Sequence, residues 1–226
     1  MVGQLVLTAG GRGKAVRGRL YGLPVLRAEA DLAGFWGERR LRRAGRELRR
    51  GGVLRLLTPP DFPGWPQLER LGLRQVDPES FVRCQAVSLA LEALERRGQS
   101  PQRATVALRG LRADRDMAWT AAELCPVVRS LIIDAPQGGP ELAGWLRREF
   151  GMAILPREER GQVALTFQAG CPQTEETSLE LFGSRPNLAG LGLTAPALAE
   201  EDRGHLPLLA ALWEGGKLSQ KDIKIT

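Results

Sequence analysis

Histidine occurs once in this chain, at position 205, and tyrosine once. A Ser–His or Cys–His catalytic pair would have only His205 to draw on, and neither G-x-S-x-G nor H-E-x-x-H is present. His205 follows Gly204 in a loop-like stretch and reads as a surface or helix-capping residue. The three cysteines, Cys84, Cys125 and Cys171, are odd in number, far apart and without a C-x-x-C. That excludes a disulfide framework and a zinc site. Cys84 and Cys125 fall in apolar helical patterns and are expected in the core. No apolar run approaches the ~20 residues of a membrane helix. The opening MVGQLVLTAGGRGK has no charged leader before a long apolar core, so no secretory signal and a cytoplasmic location are expected. Lysine is scarce too: Lys14, Lys217, Lys221 and Lys224 are the whole set, and arginine carries the rest of the positive charge.

What is present is an ordinary globular composition, 43% hydrophobic and 26% charged over 226 residues, enough for one large domain or two small ones. The net charge of +6 is unevenly placed. Residues 1–60 hold 13 Lys/Arg against 4 Asp/Glu, whereas residues 61–226 hold 19 against 22. Such asymmetry marks nucleic-acid or membrane-surface patches, although a GC-rich genome also scatters arginine over any surface.

QLVLTAGGRGKAVRGRLYGLPVLR reads as two strands around a glycine-rich hairpin turn. GGRGK is not a phosphate loop, because Thr8 stands where glycine is needed and Ala15 where Ser or Thr is needed. Residues 31–50 form a basic helix capped by Asp31, with Leu41, Ala44 and Leu48 inward. Arg39, Arg40, Arg42, Arg43, Arg46, Arg49 and Arg50 cover most of the remainder, and Gly51-Gly52 ends it. A strand at 53–59 follows, then a short helix, QLERLG, and a short strand, LRQV. Asp77-Pro78 starts a helix over 78–97 with Phe81, Cys84, Val87, Leu91 and Leu94 as its buried stripe. Gly98 stops it, and a boundary there divides a basic lobe, 1–98, from a second lobe, 99–226.

The second lobe alternates strand and helix. ATVALRG (104–110) is an apolar run suited to a strand buried on both faces. A helix over 114–126 turns Met117, Ala121 and Leu124 inward, and SLIIDA (130–135) is the next strand. Gly138-Gly139-Pro140 opens a helix with Leu142, Leu146 and Phe150 inward, and MAILP is a third strand. QVALTFQ is a fourth, after a connection short for a crossover helix, so its place in the sheet is open. SLELFG and LGLTAP suit edge strands, and LPLLAALWEGG an apolar helix docked on the sheet.

Strand, turn, helix and a strand ending in Asp134 is the layout of a dinucleotide-binding unit. Its G-x-G-x-x-G is missing: Gly110 fills the first place, but Arg112 and Arg115 hold the second and third. Asp134, 24 positions after Gly110, suits a carboxylate on a ribose hydroxyl. Gly138 and Gly139, ahead of a helix, suit an anion, with Arg112 and Arg115 adding charge. In element order, residues 104–168 resemble the cofactor lobe of the two-lobed amino-acid and shikimate dehydrogenases. The resemblance implies a cleft between lobes at the carboxyl ends of the strands. No Lys/Asp pair is placed as in shikimate dehydrogenase, so it implies scaffold rather than catalytic residues.

The expected fold is therefore α/β, two lobes, the second a mostly parallel Rossmann-like sheet flanked by helices. Three functions are compatible with it. The first is a non-catalytic protein binding a partner or a small anionic ligand in the interlobe cleft, through Gly110, Arg112, Asp134, Gly138 and Gly139, with no cofactor. The second is an NAD(P)-type oxidoreductase with an atypical phosphate loop at those residues. The third is nucleic-acid association through Arg42, Arg43, Arg46 and Arg50. Metal ligands are not expected, nor a membrane partner. The pairs Glu158-Glu159, Glu175-Glu176 and Glu200-Glu201 lie in polar connections and read as solvated rather than catalytic.

Overall fold

A computed structural model describes residues 1–171 and 177–226. The chain forms two compact units, Met1–Pro78 with Ala195–Ile223, and Glu79–Thr194 with Lys224–Thr226. The pair Glu175-Glu176 lies outside the described residues.

The first unit opens with β1 (Val2–Leu7), β2 (Arg12–Leu20) and β3 (Leu23–Ala30). Contrary to the hairpin expected at the glycine-rich turn, β1 and β2 are not neighbours. The sheet order is β2-β3-β1, with β1 parallel to β3 and β2 antiparallel to it. The hairpin is made instead by Tyr21 and Gly22, both at positive φ (47° and 80°), as a two-residue turn of matching twist requires. After β3 come α1 (Gly37–Arg50), β4 (Arg55–Leu57), α2 (Trp65–Glu69) and β5 (Arg74–Gln75), giving a five-stranded sheet β2-β3-β1-β4-β5.

Helix α1 presents Leu41, Ala44 and Leu48 to Leu5, Leu26, Ala28 and Leu56 of the sheet, as their helical spacing predicts. Burying each leucine stabilises the unit by about 1.5–3 kcal/mol. The helix begins at Gly37, six residues later than expected, and Asp31 does not cap it. The Asp31 carboxylate accepts from Gly10 N (3.0 Å) and Ala33 N (2.9 Å) and pairs with Arg40 (3.0 Å). It thus clasps the glycine-rich turn. Those amide bonds, then Arg40, hold its carboxyl below the ordinary carboxylate value.

The second unit begins with α3 (Glu79–Cys84) and α4 (Ala86–Arg96), so the single helix expected over 78–97 is interrupted at Gln85. The interruption shifts the buried stripe. Phe81, Val82, Ala86, Leu89, Ala90, Ala93 and Leu94 are inside, and Cys84 is exposed rather than in the core. Then follow β6 (Thr105–Arg109), α5 (Arg115–Leu124), β7 (Ser130–Asp134), α6 (Gly139–Phe150), β8 (Ala153–Leu155), β9 (Val163–Thr166), β10 (Ser178–Glu180) and β11 (Leu193–Thr194). Five of these strands form one parallel sheet in the order β10-β9-β6-β7-β8. Counted within the sheet along the chain, that is 5-4-1-2-3, the strand order of the Rossmann fold. Ala107, Ile132 and Ala164, small or branched, pack together at its centre.

The residues 156–162 carry the chain from β8 to β9 without a helix. They fit because Gly161 lies against β6, where a Cβ would come within 3.0 Å of Thr105 O. Gln162 then completes the crossing: its amide donates to Thr105 O (2.9 Å) and its Oε1 accepts from Thr105 N (2.6 Å). Met117, Ala121, Leu124, Leu142 and Leu146 are buried as expected, but Phe150 is 46% exposed and meets Trp145 edge-on at 5.3 Å. Cys125 is only half-buried. Two elements close the chain: α7 (Leu206–Glu214), part of the first unit, and β12 (Lys224–Ile225), antiparallel to β11 in the second. His205 is the residue before α7, and burial lowers its imidazole below the ordinary value. No helix among the described residues is long and apolar enough to cross a membrane.

Candidate functional site

Each unit contains one candidate region. In the second unit it is the switch point of the sheet, where β6 and β9 lie side by side and their following loops diverge. A pyrophosphate at such a point is held by free amides of the first loop and the next helix N-terminus. Here those amides are taken. Gly110 N donates to Asp134 O (2.9 Å) and Ala113 N to Gln137 O (2.8 Å), so the loop is zipped onto the segment after β7. Leu111 N and Arg112 N both donate to the side-chain Oε1 of Gln168, at 2.8 and 3.1 Å. That oxygen accepts from two successive amides, as an anion oxygen would. The Gln168 amide nitrogen closes the ring by donating to Arg112 O (3.4 Å) and Asp114 Oδ2 (3.3 Å).

The helix end is closed as well. Asp114 caps α5 by accepting from Met117 N at 2.9 Å, which places a carboxylate where a phosphate would lie. Arg83 reaches this point from α3. It pairs with Glu79 (2.7 Å), Asp114 (3.2 Å) and Asp116 (3.2 Å), and donates to Phe167 O (2.5 Å) and Leu181 O (3.2 Å). Three carboxylates surround the Arg83 guanidinium. A Cβ at Gly110 would lie 2.8 Å from Cε of Met117, the movable end of that side chain, and 3.3 Å from Arg112 O. Asp134 forms an ion pair with Arg109, whose side chain is 2% exposed. The carboxylate expected on a ribose is therefore the counter-ion of a buried arginine. Arg112 is exposed, and its main chain, rather than its charge, is what the loop uses. Gly138 takes positive φ (75°) before α6, and Gly139 is buried, where a Cβ would lie 3.3 Å from Ala135 Cβ. The residues present do not fit a dinucleotide held through its pyrophosphate in the usual way. Arg83 and Gln168 were not legible as site residues. The one signal was an arginine in the middle of the apolar stretch FVRCQAV.

In the first unit the region is an open groove of about 1530 Å³ along α1. Arg39, Arg42, Arg43, Arg46 and Arg50 recur at spacings of three and four and so share one helix face. All five are exposed, and the stripe runs about 16 Å along the axis at 1.5 Å per residue. Lys14, Gly10 and Gly11 form the facing wall, and Phe35 and Trp36 one end. Arg42 pairs with Glu38 (2.7 Å) and Arg50 with Glu47 (2.9 Å). Lys14, Arg39, Arg43 and Arg46 have no ion pair among the described residues. Two glycines of GGRGK, Gly10 and Gly11, thus line the groove. Asp31 accepts from the Gly10 amide and so ties this turn in place.

Among the described residues no cluster of three His, Cys, Asp or Glu is arranged to hold a metal. No family model matches the chain, and no curated protein matches it. Among solved structures, it is similar to L-tryptophan dehydrogenase from Nostoc punctiforme, with 16% identity and a TM-score of 0.33 over 73% of this chain and 55% of that one. The chain thus spans about half the length of that dehydrogenase. It is also similar to a chorismate mutase/shikimate 5-dehydrogenase fusion protein from Clostridium acetobutylicum, with 8% identity and a TM-score of 0.24 over 74% and 67% of the two chains. The chain itself is an α/β protein whose parallel sheet, in Rossmann strand order, is flanked by helices.

Proposed function

We propose that this protein binds nucleic acid through the arginine groove of its first unit. The observation that carries the reading is the segregation of charge on α1. Five arginines occupy one exposed face, while Leu41, Ala44 and Leu48 occupy the buried one. Arginine occurs in both units, 15 in the first and 13 in the second, so composition does not set them apart; what is particular to the first is a single groove that gathers seven cations, Arg40 among them, against Glu38 and Glu47. Contacts of this kind neutralise phosphates and release counter-ions without reading sequence. Four of the seven cations, Lys14, Arg39, Arg43 and Arg46, are without an ion pair among the described residues. With about four phosphates neutralised, log K falls with log salt at a slope of about −3. Raising salt from 50 to 200 mM then weakens binding roughly 60-fold.

Fluorescence anisotropy with a labelled oligonucleotide measures that slope directly. Replacing Arg42, Arg43, Arg46 and Arg50 by Gln should lower affinity at least about tenfold and flatten the salt dependence. Binding unchanged by those four substitutions overturns the reading.

A second reading, a nucleotide-dependent oxidoreductase, is favoured by one observation, the 5-4-1-2-3 strand order of the second unit. It requires a pyrophosphate to displace the Gln168 side chain from Leu111 N and Arg112 N. A dinucleotide present at 100 times its Kd stabilises its protein by about 2.7 kcal/mol. A thermal shift of several degrees with millimolar NAD(H) or NADP(H) would supply the binding this reading needs, and no shift would remove it.

A further inference from the structure

We infer that the groove prefers single-stranded nucleic acid to duplex, its bases stacking on Phe35 and Trp36. This rests on the nucleic-acid reading above. Phe35 is 91% exposed and Trp36 52%, although both are large apolar side chains that gain by burial. They form one platform, edge to face at 5.1 Å. The Arg39 guanidinium lies 5.3 Å from the centroid of the Trp36 ring, which ties the platform to the first arginine of the stripe. Aromatic faces beside a cationic track are what a single strand uses, because its bases are free to leave one another and its backbone follows the charges. In a duplex the base faces are already stacked on their neighbours, and only the arginines can act.

Electrostatics alone favours the opposite order. A duplex carries more charge per length than a single strand, so a purely cationic groove binds duplex at least as well. A preference for single strands is therefore a signature of the platform. An anionic membrane would also attract arginines and aromatics. That occupant is disfavoured because the remaining apolar residues of α1, Leu41, Ala44 and Leu48, are buried against the sheet, leaving no apolar helix face to insert.

The full chain and its Phe35→Ala/Trp36→Ala variant are titrated with five probes: a mixed-sequence single-stranded DNA, the RNA of the same sequence, the corresponding DNA duplex, heparin, and vesicles containing phosphatidylserine. Both residues are exposed, so the variant keeps the fold, which circular dichroism checks. The expected result is tighter binding of the single strands than of the duplex in the unaltered chain. The variant should lose roughly 5- to 100-fold on single strands and stay unchanged on duplex and heparin. The DNA and RNA arms show which sugar is preferred. Equal losses on all polyanions, or no loss on single strands, overturn the stacking platform while leaving the arginine groove intact. Binding to vesicles that the variant abolishes, with no single-strand preference, replaces nucleic acid by a membrane surface. Failure to bind any polyanion removes the nucleic-acid reading and this one with it.

Discussion

Replacing Asp134 by Ala should destabilise the second unit by about 3 kcal/mol. The reason is that Asp134 pairs with Arg109, which is 2% exposed, so the substitution takes a carboxylate away from a buried guanidinium. Breaking a buried pair from one side costs about 3–5 kcal/mol. Asp134 retains 20% exposure, so water reaches the site and the lower figure applies. Removing both partners is different, because the desolvation cost of the pair disappears with it. Arg109→Met/Asp134→Leu is expected within about 1 kcal/mol of the unaltered protein. Native-state hydrogen exchange on the amides of 105–109 and 130–134 reads this unit alone. About 3 kcal/mol corresponds to exchange roughly a hundredfold faster through global opening. An Asp134→Ala variant within about 0.5 kcal/mol of the original would refute the reasoning. It would mean that the carboxylate is not holding Arg109 and is spare for another partner, such as the ribose hydroxyl that the sequence pattern suggests.

Two further outcomes follow from local geometry. Asp31 has a folded carboxyl pKa below the ordinary 3.8, so its contribution to stability is fully present above that value and lost as pH falls through the folded one. Asp31→Asn should therefore flatten the acid limb of thermal stability below about pH 5, and an unchanged limb in melts down to pH 2 would count against the clasp on Gly10. Gly37 begins α1 where a Cβ would lie 2.2 Å from the carbonyl oxygen of Leu32, so Gly37→Ala should cost about 2 kcal/mol or more in urea denaturation. Gly144→Ala, in α6 with nothing within 4 Å of the new methyl, should instead gain about 0.5–1 kcal/mol.

Much of the second unit was legible because its signals are local. Apolar runs mark β6, β7 and β9, and Gly138-Gly139-Pro140 marks the start of α6. The elements that were misread depend on partners far away in the chain. β3 intervenes between β1 and β2 because a parallel pairing was chosen over the nearer antiparallel one, and spacing alone does not encode that choice. Asp31 has the composition of a helix cap but finds its amide at Gly10, 21 residues back. Cys84 and Phe150 continue apolar periodicities that the fold interrupts, the first by the break at Gln85 and the second at the end of α6. At the sites, the arginine stripe was visible as a pattern and the missing glycines of the phosphate loop as an absence. What could not be read was the replacement. Gln168 lies 57 residues from Leu111, and a glutamine side chain standing in for an anion leaves no mark in composition or period.

The division of the chain between the two units has a consequence for how the protein is made. The second unit is almost continuous, Glu79–Thr194, whereas the first lacks α7 until residues 206–214 have been synthesised. On the ribosome the parallel sheet can therefore assemble while the basic unit is still waiting for its last helix. Helix α7 has six of its nine residues buried, and Glu214 at its end pairs with Arg55 beside β1 at 2.6 Å. The final two-residue strand, β12, returns in turn to the second unit. The two units are thus interleaved along the sequence, and the first is the one whose maturation depends on residues 195–223, made after the parallel sheet.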